Sequence, residues 1–130
     1  MSKKIEKNKI LIAEDEEPML NALKDAFKSM KFDVFGARNG EEGLRVALKE
    51  HPQVILIDIL MPKMDGMTML KKIREDQWGK DVPVIILTNL SDMEKIAEAV
   101  ESQVCDYLIK TDCSIEDIVK KVKKIIHPVK

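Results

Sequence analysis

The chain has 130 residues, 45% of them hydrophobic and 35% charged, with a formal net charge of -1. These values describe one ordinary folded domain, long enough to bury a core. The near-neutral balance gives no electrostatic footprint for nucleic acid or an anionic membrane, and aromatic residues, 4% of the chain, are too few for base stacking. No apolar run approaches membrane-spanning length. The basic start "MSKKIEKNK" is followed by too short an apolar stretch for a signal peptide. The expectation is therefore a cytoplasmic protein. Cys105 and Cys113 fit neither a CxxC nor a zinc pattern and are read as free thiols rather than a disulfide.

Residues 1–8 are expected to fray, and "KILIA" (9–13) reads as a first strand. Four consecutive carboxylates follow, Glu14 to Glu17. Side by side they repel by roughly 4 kcal/mol per pair at ~4 Å and an effective dielectric near 20. They are either solvated acids at a helix N-terminus or ligands that face a cation. Pro18 suits a first helical turn, and Leu20, Leu23, Ala26, Phe27 and Met30 then form one apolar face.

"FDVFGA" is the second strand, and "GEEGLRVALKEH" a helix burying Leu44, Ala47 and Leu48. "QVILIDIL" is the third strand, followed by the helix "GMTMLKKIRED" with Met67, Leu70 and Ile73 inward. "PVIILTN" is the fourth strand, Ser91 caps the helix "DMEKIAEAVES", and "DYLIK" is the fifth strand. Ser114 and Asp117 form a capping box ahead of the last helix, "IEDIVKKVKKII". The eight methionines fit core filling at helical spacing, and His51 and His127 fall at helix ends away from any site.

Strict strand–helix alternation predicts a doubly wound parallel sheet with helices on both faces and right-handed crossovers. The nearly continuous apolar strands agree, being covered on both sides. One domain is expected over 9–127, with a tail at 128–130 and no output domain.

In such sheets ligands bind beyond the carboxyl ends of the strands. There stand Glu14 and Asp15, then Asp58, Thr88 and Lys110. Each has an ordinary role open to it: a turn cap, a β-branched strand residue, a solvated amine. Together they are complementary chemistry at four of five strand ends. Clustered carboxylates suit Mg2+, and a hydroxyl and an ammonium suit phosphoryl oxygens.

"AEDE", "ILIDILMPKMDG", "ILTN" and "DYLIK", in this order and spacing, resemble the signatures of bacterial two-component response-regulator receiver domains, here a stand-alone, CheY-like one. The resemblance runs from about Lys9 to Ile126 and implies a flavodoxin-like five-stranded sheet in the order 2-1-3-4-5. It implies a phospho-accepting switch rather than a conventional enzyme. Asp58 would accept a phosphoryl group from a sensor histidine kinase or histidine phosphotransfer protein. Asp15, Asp58 and the Leu60 carbonyl would ligate Mg2+, with Glu14 acting through a bound water, which leaves Glu16 and Glu17 as solvated acids of the first helical turn. Lys110 would pair with Asp58, Thr88 would bond the new phosphoryl oxygens, and Tyr107 would then rotate inward. The expected readout surface for a downstream protein is the fourth predicted helix, the fifth strand and the last helix, including Ile96, Ala99, Tyr107 and Ile118. The domain would be a monomer or a phosphorylation-dependent dimer.

Three positions depart from the family pattern: Thr111 follows Lys110 where proline is usual, Asn89 replaces a small residue, and Gln103-Val104 replace Gly-Ala. They keep open a receiver-like interaction module that works without phosphorylation. A Mg2+-dependent aspartyl phosphatase fits less well, lacking D-x-D after the first strand. In this family the residues two past the acceptor aspartate and two past the threonine flank the path of hydrolytic water. Here these are Leu60 and Leu90, which implies slow self-dephosphorylation.

Overall fold

A computed structural model describes residues 8–89 and 106–126. The predicted helix after Ser91, with Ile96 and Ala99, lies outside the described residues, as do Leu90, Gln103-Val104, Cys105, His127, residues 1–7 and the tail. The elements run β1 (Lys9–Ala13), α1 (Glu17–Ser29), β2 (Asp33–Ala37), α2 (Gly40–Glu50), β3 (Val54–Asp58), α3 (Gly66–Glu75), β4 (Val84–Thr88), β5 (Asp106–Ile109) and α4 (Ile115–Ile126). Short 3-10 turns stand at Trp78–Lys80 and Lys110–Asp112.

All strand pairs are parallel, and the sheet order is β2-β1-β3-β4-β5. Side chains alternate between sheet faces, and the core divides accordingly. Leu11, Ala13, Ile55, Ile57 and Ile86 pack under α2 and α3 with Ala47, Met69, Leu70 and Ile73. Ile10, Ile12, Leu56, Ile85 and Leu87 pack under α1 and α4 with Leu20, Leu23, Phe27, Ile118 and Val122. At about 1.5–3 kcal/mol per buried large aliphatic side chain, these two layers supply the main drive to fold.

Local chemistry sets the helix ends. Asn39 and Asp65 cap α2 and α3 by accepting from the Glu42 and Thr68 N–H groups, each at 2.8 Å. The Ser114–Asp117 capping box forms as expected: the Ser114 N–H donates to Asp117 Oδ2 (2.9 Å) and the Asp117 N–H to Ser114 Oγ (3.1 Å). Helix α1 closes without glycine. Lys31 takes a left-handed φ of 67°, and the Phe32 N–H donates to the Phe27 carbonyl at 3.0 Å. Two helix faces differ in detail from the sequence reading. Leu48 is 39% exposed while Gly40, Gly43 and Ala47 make the buried face of α2. In α3, Met69 is fully buried and Met67 only partly so.

The turn from β3 to α3 brings the chain back against its own strand. The Gly66 N–H donates to the Ile59 carbonyl at 2.8 Å, and a Cβ on Gly66 would fall on the Asp58 carbonyl oxygen. Glycine is needed there for close approach, and the closeness fixes where Asp58 sits. No cis peptide bond occurs among the described residues, so Lys110-Thr111 is trans.

Candidate functional site

Because every strand is parallel, all strand C-termini open on one edge, and the register decides which residues meet there. Ala13 pairs with Ile57, Asp58 with Leu87 and Thr88 with Ile109. The residues just beyond therefore fall at the same edge, Glu14 level with Asp58 and Lys110 one residue past the level of Thr88. Glu14 is completely buried, and its N–H is held by the Ala37 carbonyl at 2.9 Å. Asp58, the last residue of β3, is 4% exposed, and Thr88 ends β4 with no exposure. The Thr88 hydroxyl donates to the Asn89 carbonyl at 3.0 Å. The fifth strand ends one residue earlier than the sequence reading has it: β5 stops at Ile109, and Lys110 opens the following 3-10 turn.

The Lys110 ammonium is the hub. It lies 2.6 Å from Glu14 Oε1, 2.9 Å from Glu16 Oε1 and 3.3 Å from Asp58 Oδ2. Three carboxylates thus share one cation, two of them and the ammonium largely closed to water and the third, Glu16, open to it. The consequence is a proton held back. Burial pushes the Asp58 carboxyl up to about 8, with the neighbouring Glu14 charge and hydrogen bond adding to it and Lys110 only partly opposing. Burial works against the Lys110 charge, but its bonds to Glu14 and Glu16 and the Asp58 charge outweigh that and hold the amine above its ordinary value.

Oxygen ligands for a hard cation are present. Glu14, Glu16 and Asp58 each offer a carboxylate oxygen, all within 4.8 Å of one another. Glu14 Oε1 is buried with no hydrogen-bond donor aligned on it, although the ammonium is near. Carboxylate oxygens grouped this closely fit a divalent ion such as Mg2+, with the Lys110 ammonium among them in the resting structure. Asp15 is partly exposed beside this group and does not belong to it.

Glu16 is the residue sequence reasoning missed. The acidic run marks Glu16 and Glu17 as solvated first-turn acids. That holds for Glu17, whose side chain is 63% exposed and 3.7 Å from Arg38. Glu16 instead reaches Lys110, and a contact across 94 residues leaves no signature in local spacing. Leu60, two residues past Asp58 in the chain, is 47% exposed, and Tyr107 is 39% exposed.

The fold and the acid–lysine–threonine edge define a class, a doubly wound α/β domain with a charged switch-point site. Residues 10–123 match the response regulator receiver domain family. The probable transcriptional regulator ycf27 of Porphyridium aerugineum is 32% identical over 126 residues, 92% of this chain and 51% of that protein. The regulatory protein AtoC of Escherichia coli K12 is 38% identical over 103 residues, 79% of this chain and 22% of that protein. Among solved structures, the receiver domain of the Francisella response regulator 1452 superposes with a TM-score of 0.82 at 32% identity, covering 95% of this chain and 99% of that one. The chain belongs to the response regulator receiver domain family, the signalling module of two-component systems. It spans about half the length, or less, of these two curated relatives. No helix among the described residues is long and apolar enough to cross a membrane.

Proposed function

We propose that this domain is a Mg2+-dependent phosphoacceptor switch, with Asp58 as the residue that takes the phosphoryl group from a phosphohistidine of a sensor histidine kinase or phosphotransfer protein. One observation carries the reading: Asp58 is nearly buried at a strand end, 3.3 Å from an ammonium shared with Glu14, with the Thr88 hydroxyl closing the adjacent strand. Such a carboxylate is costly to keep charged and serves no packing purpose. In the transfer, the phosphorus–nitrogen bond of the donor breaks as a bond to an Asp58 oxygen forms, and the imidazole, protonated on its other ring nitrogen, takes the electron pair and leaves neutral. Phosphoryl transfer passes through a loose transition state, so positioning and charge matter most. Lys110 lies near enough to move from Asp58 to a phosphoryl oxygen. Thr88 gives up its bond to the Asn89 carbonyl to donate to another. Asp58, with Glu14 through water, is proposed to hold the cation at the place where the Glu14, Glu16 and Asp58 oxygens stand together. Asp15 and the Leu60 carbonyl, outside that group in the resting structure, are proposed to complete its shell. When bound, Mg2+ supplies positive charge that keeps Asp58 ionised and draws charge from the phosphoryl oxygens.

The output arises from charge. Phosphorylation adds about -1.5 to -2 charges, and the shift of Thr88 frees space for Tyr107, which stands outward at 39% exposure. The proposed readout is a protein-binding surface that includes Tyr107 on β5 and the outer face of α4, in a cytoplasmic signalling pathway. Ile118, expected on that surface, is instead fully buried in the core beneath α4. Incubation with acetyl phosphate and Mg2+, followed by intact mass, tests the reading. The wild type should gain one phosphoryl group and Asp58→Asn none. Undiminished labelling of the variant would mean another residue is the acceptor.

A further inference from the structure

We propose that Glu16 is a positioning residue for Lys110: it holds the ammonium at the mouth of the cluster in the resting protein and releases it when Asp58 is phosphorylated. The proposal deepens, and rests on, the reading of Asp58 as acceptor. Glu16 occupies the N-cap of α1 with extended backbone (φ -77°, ψ 106°), yet its side chain caps no helical N–H. Serine, threonine, aspartate or asparagine there folds back on the first turn, and the longer glutamate leaves its carboxylate free to reach outward. The Glu16 carboxylate crosses to Lys110 instead, at 2.9 Å. Its own N–H donates to Glu14 Oε2 at 3.2 Å, so main chain and side chain brace the same group of charges.

The three contacts of Lys110 are unequal. Glu14 at 2.6 Å and Glu16 at 2.9 Å are the shorter ones, and Asp58 at 3.3 Å is the longest. Exposure then decides which partner can let go. The side chains of Glu14 and Asp58 are 0% and 6% exposed, whereas that of Glu16 is 60% exposed, so water replaces Lys110 around it at small cost. A phosphoryl group, with its extra charge, offers the ammonium a stronger partner. Glu16 therefore biases the equilibrium toward the resting arrangement, and removing it shifts the population toward the phosphorylated one.

The test compares full-length wild type, Glu16→Gln and Glu17→Gln. Glu17→Gln removes the same charge one residue on, without touching Lys110. The first readout is the acylation rate of the Lys110 amine by an activated ester, measured by mass spectrometry without Mg2+ or phosphodonor. The second is the fraction phosphorylated at limiting acetyl phosphate and saturating Mg2+. Glu16→Gln should raise both, by about two- to fivefold for an exposed ion pair, and Glu17→Gln neither. Lys110 reactivity unchanged in Glu16→Gln overturns the anchoring. Raised reactivity with unchanged phosphorylation overturns the release. Equal gains in Glu17→Gln assign the effect to net charge and also overturn it. A wild type that takes up no phosphate refutes Asp58 as acceptor, and with it the release, while the acylation rates still decide the anchor.

Discussion

Replacing Asp58 by asparagine should stabilise the resting protein. The Asp58 side chain is 6% exposed, and its carboxyl is pushed from 3.8 up to about 8 by burial and by Glu14. Between those values the folded protein keeps a proton that the unfolded chain gives up, so stability falls as pH rises through this window. At about 1.4 kcal/mol per pH unit, the loss reaches up to about 4 kcal/mol by pH 7. Asparagine has no charge to bury. It does surrender the 3.3 Å contact with Lys110, so the net gain at pH 7 should be about 1–3 kcal/mol, or roughly 3–10 °C in Tm for a domain of this size. At pH 4.5 the wild-type carboxyl is already protonated in the fold, and the gain should shrink to under about 1 kcal/mol. Urea unfolding followed by circular dichroism at both pH values measures the difference. A variant less stable than wild type at pH 7, or a gain of equal size at both pH values, would refute the argument.

Lys110→Met strips the cation from the fully buried Glu14 and should cost about 2–4 kcal/mol at pH 7. The stabilisation by Asp58→Asn should be larger in that background by about 1 kcal/mol or more, and strict additivity in a double-mutant cycle would count against the shared cluster. Gly66→Ala drives a methyl into the Asp58 carbonyl and should lose about 3 kcal/mol or more, whereas Gly36→Ala meets the flexible Lys24 side chain at 3.3 Å and Leu20 Cδ1 at an ordinary contact distance of 3.5 Å and should be tolerated. Equal unfolding midpoints for the two variants would contradict this. Leu60→Asn places a polar group two residues from the acceptor, where it can orient water. Loss of phosphate, timed by intact mass, should quicken severalfold, and an unchanged lifetime would mean Leu60 does not screen the phosphoryl group.

Periodicity and chain order make the architecture legible in the sequence. Five short apolar runs separated by amphipathic stretches leave the doubly wound parallel sheet as the favoured arrangement. Its parallel strands bring Glu14, Asp58, Thr88 and Lys110 to one edge whatever the details. The Ser114–Asp117 cap is legible for the same reason, since its partners are three residues apart. Contacts between distant segments are not. Nothing near Glu16 says that its carboxylate meets Lys110 rather than water. His51 and Trp78, whose rings stack at 4.5 Å and 10° between planes, are likewise separate in sequence and carry no shared pattern. Helix phase is legible only to within a residue. Hydrophobicity favours Leu48 and Met67 equally with their neighbours, and the close approach of α2 at Gly40 and Gly43 turns Leu48 outward.

The central claim is that Asp58 receives the phosphoryl group, and chemical mapping of the phosphorylated wild type tests it most directly. Borohydride reduces an aspartyl phosphate to homoserine, and peptide mass spectrometry then places that residue in the chain. The account predicts homoserine at position 58 and nowhere else, dependent on prior treatment with phosphodonor and Mg2+. Homoserine at another aspartate, 2-amino-5-hydroxypentanoic acid at a glutamate, or neither in protein that intact mass finds phosphorylated, would contradict it.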